Sequence, residues 1–188
     1  MKKSLIIILA IVAVLVIWGI SAYNGMVSME EDVNTKWAQV ENQYQRRSDL
    51  IPNLVNTIKG YATHEKETLE GVIAARSQAT QITVDPSNLT PEALAEYQQA
   101  QGAVTSALGK LLAISESYPD LKANQNFLEL QAQLEGTENR INVARNTFNE
   151  AAQTYNTSIR RFPKSIFAGM FGFDKRPYFE AEAGAEKA

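Results

Sequence analysis

The chain offers few residues of the types and spacing that catalysis or metal binding requires. His64 is the only histidine among 188 residues, and there is no cysteine. A serine–histidine–aspartate triad could use only His64, and the pair His64-Glu65 lacks the second histidine of the zinc-protease motif. Without cysteine, thiol nucleophiles, disulfides, iron–sulfur clusters and cysteine zinc sites are excluded. The sequence therefore predicts no metal and no cofactor, and His64 is interpreted as a solvated or capping residue.

Acid–base chemistry would have to use carboxylates alone. The candidates are Asp49, Glu65, Glu67 and Glu138. Carboxylates on the faces of helical bundles are usually solvated or ion-paired, and the di-iron arrangement of such bundles needs two histidines. No phosphate-binding glycine motif is present, because the ten glycines lie singly. We therefore expect a protein that is not an enzyme and has no small-molecule substrate.

Arg47 is the charged residue that most clearly needs a partner, because its position in the sequence pattern points inward. It falls within a stripe of inward positions at steps of three and four, which favours a helix: Val33, Trp37, Val40, Tyr44, Arg47, Ile51, Leu54, Ile58 and Tyr61. A charge at such a position costs several kcal/mol unless it is paired. Because Pro52 removes a backbone donor, we also expect a kink or a break between Asp49 and Pro52.

These residues form a candidate polar interaction cluster of Arg47, Asp49, Pro52, Asn53 and Glu138. Asp49, Glu138 or another acid is the expected ionic partner of the arginine. Two roles stay open for the cluster: an ion pair that fixes the register of the helices, or a polar docking groove where the kink opens the bundle.

The N-terminal segment, residues 1–24, is predicted to be a transmembrane anchor. Leu5 to Ile20 is apolar throughout except for Gly19. A helix of about 19 residues just crosses a hydrocarbon core of about 30 Å. Trp18 and Tyr23 stand where an interfacial aromatic belt is expected. A cleaved signal peptide is the alternative, and it is disfavoured because the apolar run is long and Gly19 to Ala22 makes a poor cleavage site.

The charges that flank this segment predict its orientation. Lys2 and Lys3 precede the span, and Glu30 to Asp32 follow it. The positive-inside rule then keeps the N-terminus in the cytoplasm and puts the rest of the chain on the other side. The net charge of −3 gives no basic surface for nucleic acid, so no nucleic-acid partner is expected.

Residues 25–162 are predicted to form four helices. Thr63 is the expected N-cap of a short second helix with Leu69, Val72 and Ile73 facing inward, and Pro91 opens a third. The fourth carries the longest heptad-spaced seam: Phe127, Leu130, Leu134, Thr137, Ile141, Ala144, Phe148, Ala151, Tyr155, Ser158 and Phe162. Its many asparagines are poor helix formers, so burial of the seam must stabilise it. The predicted fold is all-α, an N-terminal transmembrane helix followed by an elongated antiparallel four-helix bundle with coiled-coil-like packing.

An up-down-up-down bundle would return the chain to the bilayer. Residues 163–179 form an aromatic tail interleaved with cations, which is typical of a membrane interface. The candidate interfacial residues are Trp18, Tyr23, Phe167, Phe171 and Phe173. Alternatively, the tail packs on the base of the bundle. Residues 180–188 are acidic and predicted to be disordered.

Several blocks of the chain resemble the LemA family. They occur in order between Tyr23 and about Phe179, and the hallmark runs from Arg46 to Val55 and from Lys59 to Glu65. The one departure is Phe148-Asn149, where the family has a tyrosine before the asparagine. The resemblance implies a bacterial membrane protein with one N-terminal span, an antiparallel four-helix bundle and no established molecular function. Some descriptions of the family put the domain on the cytoplasmic side, against the charge argument.

The leading functional hypothesis is a non-enzymatic interaction or scaffold protein of the bacterial cell envelope. It would be a single-pass protein of the inner membrane with its bundle on the non-cytoplasmic side. Its expected partners are the lipid bilayer, unidentified proteins and further copies of itself as a homo-oligomer. The alternative is a membrane-surface or lipid-binding module that acts through the aromatic tail.

Overall fold

The computed structural model describes residues 2–180, and across that range the chain is helical with no strand. The all-α prediction is confirmed. The helices are α1 (Lys2–Lys59), α2 (Lys66–Gln81), α3 (Pro91–Ile114), α4 (Pro119–Lys122), α5 (Gln125–Arg160) and α6 (Lys164–Phe171), with single 3-10 turns at Pro86–Asn88 and Ser115–Ser117. The predicted tail beyond Glu180 lies outside the described residues.

The long helices α1 and α5 pack antiparallel. The rings of Trp37 and Phe148 lie 5.7 Å apart, and Arg47 contacts Glu138 at 2.8 Å. A step forward along α1 therefore matches an equal step backward along α5. At the end far from the N-terminus, Asn124 donates a hydrogen bond to the Tyr61 hydroxyl over 2.8 Å. Helices α2 and α3, which lie between α1 and α5 in the chain, pack on each other. The order of the four long helices is therefore up, down, up, down.

Helix α1 runs without interruption from the apolar N-terminal segment into the bundle. Its 58 residues give a rod of about 87 Å. Pro52 lies inside this helix with its ring exposed, so the predicted break between Asp49 and Pro52 is absent. Two features explain this: Ile51 and Leu54 are fully buried on the opposite face, and Arg76 bonds the carbonyl of Ser48 that the proline leaves free.

The buried side chains divide into two apolar clusters. The proximal core, nearer the N-terminal segment, includes Met26, Val33, Trp37, Val40, Tyr44, Tyr97, Ile141, Phe148, Tyr155 and Phe179. The distal core includes Ile51, Leu54, Ile58, Leu69, Val72, Val104, Leu108, Leu111, Phe127 and Leu134. Between them lies a buried polar layer of Arg47, Gln101 and Thr137. The stripes on α1, α3 and α5 thus supply both cores.

A few predicted core or cap positions are wrong. Tyr61 is 41% exposed and Phe162 is 82% exposed, because each lies just beyond the end of its helix, where the helical spacing no longer applies. Ile73 is 49% exposed beside the buried Val72, since neighbouring helices cover only one face of α2. Thr63 does not cap α2, which begins at Lys66 with no side-chain cap bond.

The N-terminal part of α1 is long and apolar enough to cross a membrane once. Its large apolar side chains from Leu5 to Ile17 are each at least 49% exposed, so no other part of the described chain covers them. Burial begins at Gly19 and Ala22, against the end of the bundle. The same helix continues through Gly19 to Ala22 into the bundle.

Candidate functional site

The polar layer between the two cores is organised by the guanidinium group of Arg47, which is 1% exposed. Its Nη1 donates to Glu138 Oε1 over 2.8 Å and to Thr105 Oγ1 over 2.7 Å. Its Nη2 donates to both the backbone and side-chain oxygens of Gln101, over 2.9 and 2.8 Å. The group also lies 5.0 Å from the ring centre of Tyr44. Helices α1, α3 and α5 are thereby tied at one level.

Only part of the predicted polar cluster comes together. Arg47 meets Glu138, whereas Asp49 is exposed and accepts a hydrogen bond from Gln45 over 2.7 Å. Asn53 and Pro52 are also exposed on the outer face of α1. The reason is geometric: residues two positions apart on a helix do not face each other, so Asp49 cannot reach the inward side.

Sequence reasoning missed Gln101 and Thr105, which complete the hydrogen bonding of Arg47. A signal for Gln101 was present, because it continues the inward spacing from Tyr97 to Val104 on α3. A buried arginine needs acceptors from several elements, and a glutamine within an apolar stripe is a natural source of them. Thr105 had no comparable signal.

A cleft of about 320 Å³ opens beside this layer, between α1, α2 and α3. Arg47, Ser48, Arg76 and Glu41 are among the residues that line it. Burial raises the pKa of Glu41 above its usual value. Burial also raises the pKa of Tyr97 well above its usual value, with smaller contributions from Tyr44 and Glu41.

The two arginines that line the cleft are engaged by other parts of the protein. Both arginines donate to protein oxygens, Arg47 to Glu138 and Arg76 to the Ser48 carbonyl. Within residues 2–180 no three of histidine, cysteine, aspartate and glutamate lie close enough together to hold a metal ion. His64 is exposed, outside the cleft.

The predicted interfacial aromatics do come together, at the junction of the apolar segment and the bundle. Trp18 packs edge-to-face on Phe167 with ring centres 5.5 Å apart, and Tyr23 contacts Phe171 at 5.0 Å and Phe173 at 5.6 Å. A side chain at Gly19 would meet the Phe167 ring at 3.3 Å, so the glycine permits this close approach.

The remainder of the aromatic tail leaves this junction and enters the proximal core. Gly172 ends α6 with φ +75, a left-handed conformation that reverses the chain. Beyond it, Arg176 is 7% exposed and Phe179 is 5% exposed. The Phe179 ring stacks on Trp37 at 5.8 Å. The tail is therefore not one membrane-proximal unit: α6 lies at the junction, and residues 176–180 fill a groove on the bundle.

One apolar span, continuous with an antiparallel helical bundle that has a buried arginine layer, defines the class as membrane-associated helical-bundle proteins. The chain belongs to the LemA family, whose model matches residues 36–188. The resemblance inferred from the sequence is confirmed.

Relatives of this chain include two kinds of named bacterial protein. Magnetosome protein MamQ 2 of Paramagnetospirillum magneticum is 26% identical over 205 residues, which cover 99% of this chain and 73% of that protein. Magnetosome protein MamQ of Magnetospirillum gryphiswaldense is 29% identical over 180 residues, covering 86% and 66%. Protein LemA of Metamycoplasma hominis is 23% identical over 139 residues, covering 74% and 60%.

Proposed function

We propose that this protein is a non-enzymatic scaffold of the bacterial inner membrane, which holds an interaction surface at a fixed height above the bilayer. One observation carries the proposal: α1 is a single helix from Lys2 to Lys59, so the anchor and the first bundle helix are one rod. A flexible linker would let the bundle turn freely, whereas a continuous helix fixes its orientation and distance. Fixed geometry is useful to a protein that positions partners.

The cleft beside Arg47 supports this role as a docking place. It is open between three helices, and its polar lining is anchored by the ion pair of Arg47 with Glu138. A rigid, hydrogen-bonded floor lowers the entropy lost when a partner binds. The docked group would be polar, to match Glu41 and Gln45 at the edge.

Site-specific cross-linking in intact membranes tests the scaffold role. A photo-reactive residue at Asn42, which is exposed and lines the cleft, is expected to give adducts with a partner or with a second copy. The matched control is Lys110, which is exposed on α3 outside the cleft and is expected to give none. A strict monomer in detergent, together with no adducts from Asn42, would overturn the proposal.

We place the bundle on the non-cytoplasmic side, because Lys2 and Lys3 precede the span and Glu30 to Asp32 follow it. The chain has no cysteine, so an Asn42→Cys variant carries one thiol. Labelling of that thiol by a membrane-impermeant maleimide in intact cells is expected. Labelling only after the inner membrane is opened would put the bundle in the cytoplasm.

A second candidate function, lipid-surface binding through α6, has its own observation. Phe162 is 82% exposed, Met170 71% and Phe171 55%, and α6 lies beside the end of the apolar segment, where its Phe167 packs on Trp18. Apolar side chains at this level would enter the headgroup region. A fluorophore on Met170→Cys should be quenched by brominated lipids, whereas one on Val143→Cys, an equally apolar and 65% exposed position on α5, should not. Equal quenching at both positions would argue against the lipid role.

A further inference from the structure

The C-terminal segment of the described chain is held by two asparagines of α5. Asn156 Nδ2 donates to the Arg176 carbonyl over 2.8 Å, and the Arg176 N–H donates to Asn156 Oδ1 over 2.9 Å. Asn149 makes the same pair of bonds with the backbone of Phe179, over 3.0 and 2.8 Å. Each side-chain amide thus satisfies one N–H and one C=O of a single residue, as a neighbouring strand would.

The spacing of these clamps matches an extended peptide. Asn149 and Asn156 are seven residues, or about two helical turns, apart on α5, which corresponds to about 10.5 Å along the helix axis. The residues they hold, Arg176 and Phe179, are three apart, and three residues span at most about 10 to 11 Å when fully extended. The helix and the segment are therefore in register, with the segment antiparallel to α5 and close to its full length.

Two side-chain pockets flank the clamps. In the first, Arg176 Nη2 donates to Glu30 Oε1 over 2.8 Å and Nη1 donates to the Ser87 carbonyl over 2.9 Å. In the second, the Phe179 ring lies between Trp37, at 5.8 Å, and Phe148, at 5.5 Å. The backbone bonds accept any residue, so these pockets supply the selectivity for an arginine and an aromatic ring.

The groove is separable from the segment that fills it. The groove lies along α5, and two of the asparagines that lower the helix propensity of α5 hold the segment in it. The segment is connected to α6 by Gly172 to Lys175. Gly172, Asp174 and Lys175 are all exposed. Release of the segment would expose the groove without cutting any helix of the bundle.

We propose that this groove is a peptide-binding site, which recognises an extended segment with an arginine followed three residues later by an aromatic residue. The chain's own residues 176–180 occupy it, and a partner protein bearing such a segment docks by displacing them. The proposal rests on the scaffold role and names the chemistry of a partner. The glutamate at Glu30 selects the cation, and the Trp37 ring selects the aromatic group.

A displacement experiment on the full chain tests the groove. A site-specific protease sequence inserted between Gly172 and Phe173 allows the segment to be cut from the folded protein in detergent micelles. The cut segment is expected to stay bound and to be released by an excess of a synthetic peptide of residues 173–180. The same peptide with alanine at the positions of Arg176 and Phe179 should be weaker by at least about tenfold.

A second measurement uses the two clamps. With the Arg176→Ala and Phe179→Ala changes in the full chain, a fluorescent peptide of residues 173–180 should bind, and adding Asn149→Ala and Asn156→Ala should abolish binding. Asn146→Ala, an exposed asparagine of the same helix, is the matched control and should leave binding intact. Circular dichroism establishes that each variant is folded.

The inference is overturned if the cut segment cannot be displaced by the peptide. It is also overturned if folded variants bind the peptide equally well with and without the Asn149→Ala and Asn156→Ala changes. Adducts from Asn42 in the cleft together with no peptide binding would keep the scaffold role and remove the peptide site. Peptide binding without any adducts from Asn42 would instead argue against the cleft as a docking place.

Discussion

Arg76 on α2 donates from Nε to the backbone carbonyl of Ser48 on α1 over 2.8 Å. In an α-helix that carbonyl normally accepts the N–H four residues on, but the residue there is Pro52, which has none. An arginine from a neighbouring helix thus replaces the missing donor. The helix continues past the proline, and α2 is fixed to α1 at the same point.

The first prediction concerns the coupling of Arg76 to Pro52. Arg76→Ala should lower the free energy of unfolding by about 1 kcal/mol, because it leaves a partly buried carbonyl without a donor. In a Pro52→Ala background the helix regains its own N–H, so the same arginine change should cost less. Chemical denaturation of the four proteins, followed by circular dichroism, gives the coupling energy. Gln78→Ala, an exposed change on α2, is the control.

Additive effects of Arg76→Ala and Pro52→Ala would contradict this account. They would mean that Arg76 stabilises the protein through contacts unrelated to the free carbonyl of Ser48.

The second prediction concerns the buried layer. Arg47→Ala removes the guanidinium group that bonds Gln101, Thr105 and Glu138, and should destabilise the bundle by about 3 kcal/mol. Arg46→Ala, the exposed neighbour, should change stability by less than about 0.5 kcal/mol. Thermal unfolding in micelles compares them. An Arg47→Ala protein that melts like the parent would show that the layer neither stabilises nor registers the helices.

The pairing of Arg47 with an acid was predictable, because a charge at an inward helical position must find a partner. The choice between Asp49 and Glu138 was also within reach of helix geometry, since only Glu138 lies on a facing helix. Likewise, the core positions of α5 from Phe127 to Ser158 could be predicted, because heptad spacing indicates which face of a helix is buried.

The route of the C-terminal segment was beyond such reasoning. Periodicity carries no information about an irregular segment, so Phe179 and Phe171 looked alike although one is buried and the other 55% exposed. The asparagines of α5 were visible as poor helix formers, but the backbone they hold lies about twenty to thirty residues further on and gives no sequence pattern of its own. The role of Arg76 was hidden as well, because the group it bonds is a backbone carbonyl on another helix, which has no sequence pattern of its own.

The third prediction separates two glycines at the end of α6. Gly172 has φ +75, so Gly172→Ala should be strained and loosen the segment that follows, at a cost of about 1 kcal/mol. Gly169 lies within the helix with open space around it, so Gly169→Ala should be neutral or slightly stabilising. Hydrogen exchange of the Phe173 amide, which bonds the Ala168 carbonyl, reports the difference. Equal protection in both variants would argue against a strained turn.

The last prediction concerns alkaline pH. Burial, followed by the charge of Glu30, raises the pKa of Tyr155 from 10.0 to about 12. The folded protein then keeps a proton that the unfolded chain loses above pH 10, so the stabilisation is complete below that pH and is lost as the pH rises towards about 12. Tyr97, whose pKa burial also raises, acts in the same direction.

Tyr155→Phe and Tyr97→Phe keep the rings and remove the ionising hydroxyls. Each should therefore flatten the fall of unfolding free energy with pH above 10, and the double variant should flatten it most, as measured by denaturation at a series of pH values. An unchanged slope in the double variant would mean that neither hydroxyl is held protonated by the proximal core, and that some other group governs alkaline unfolding.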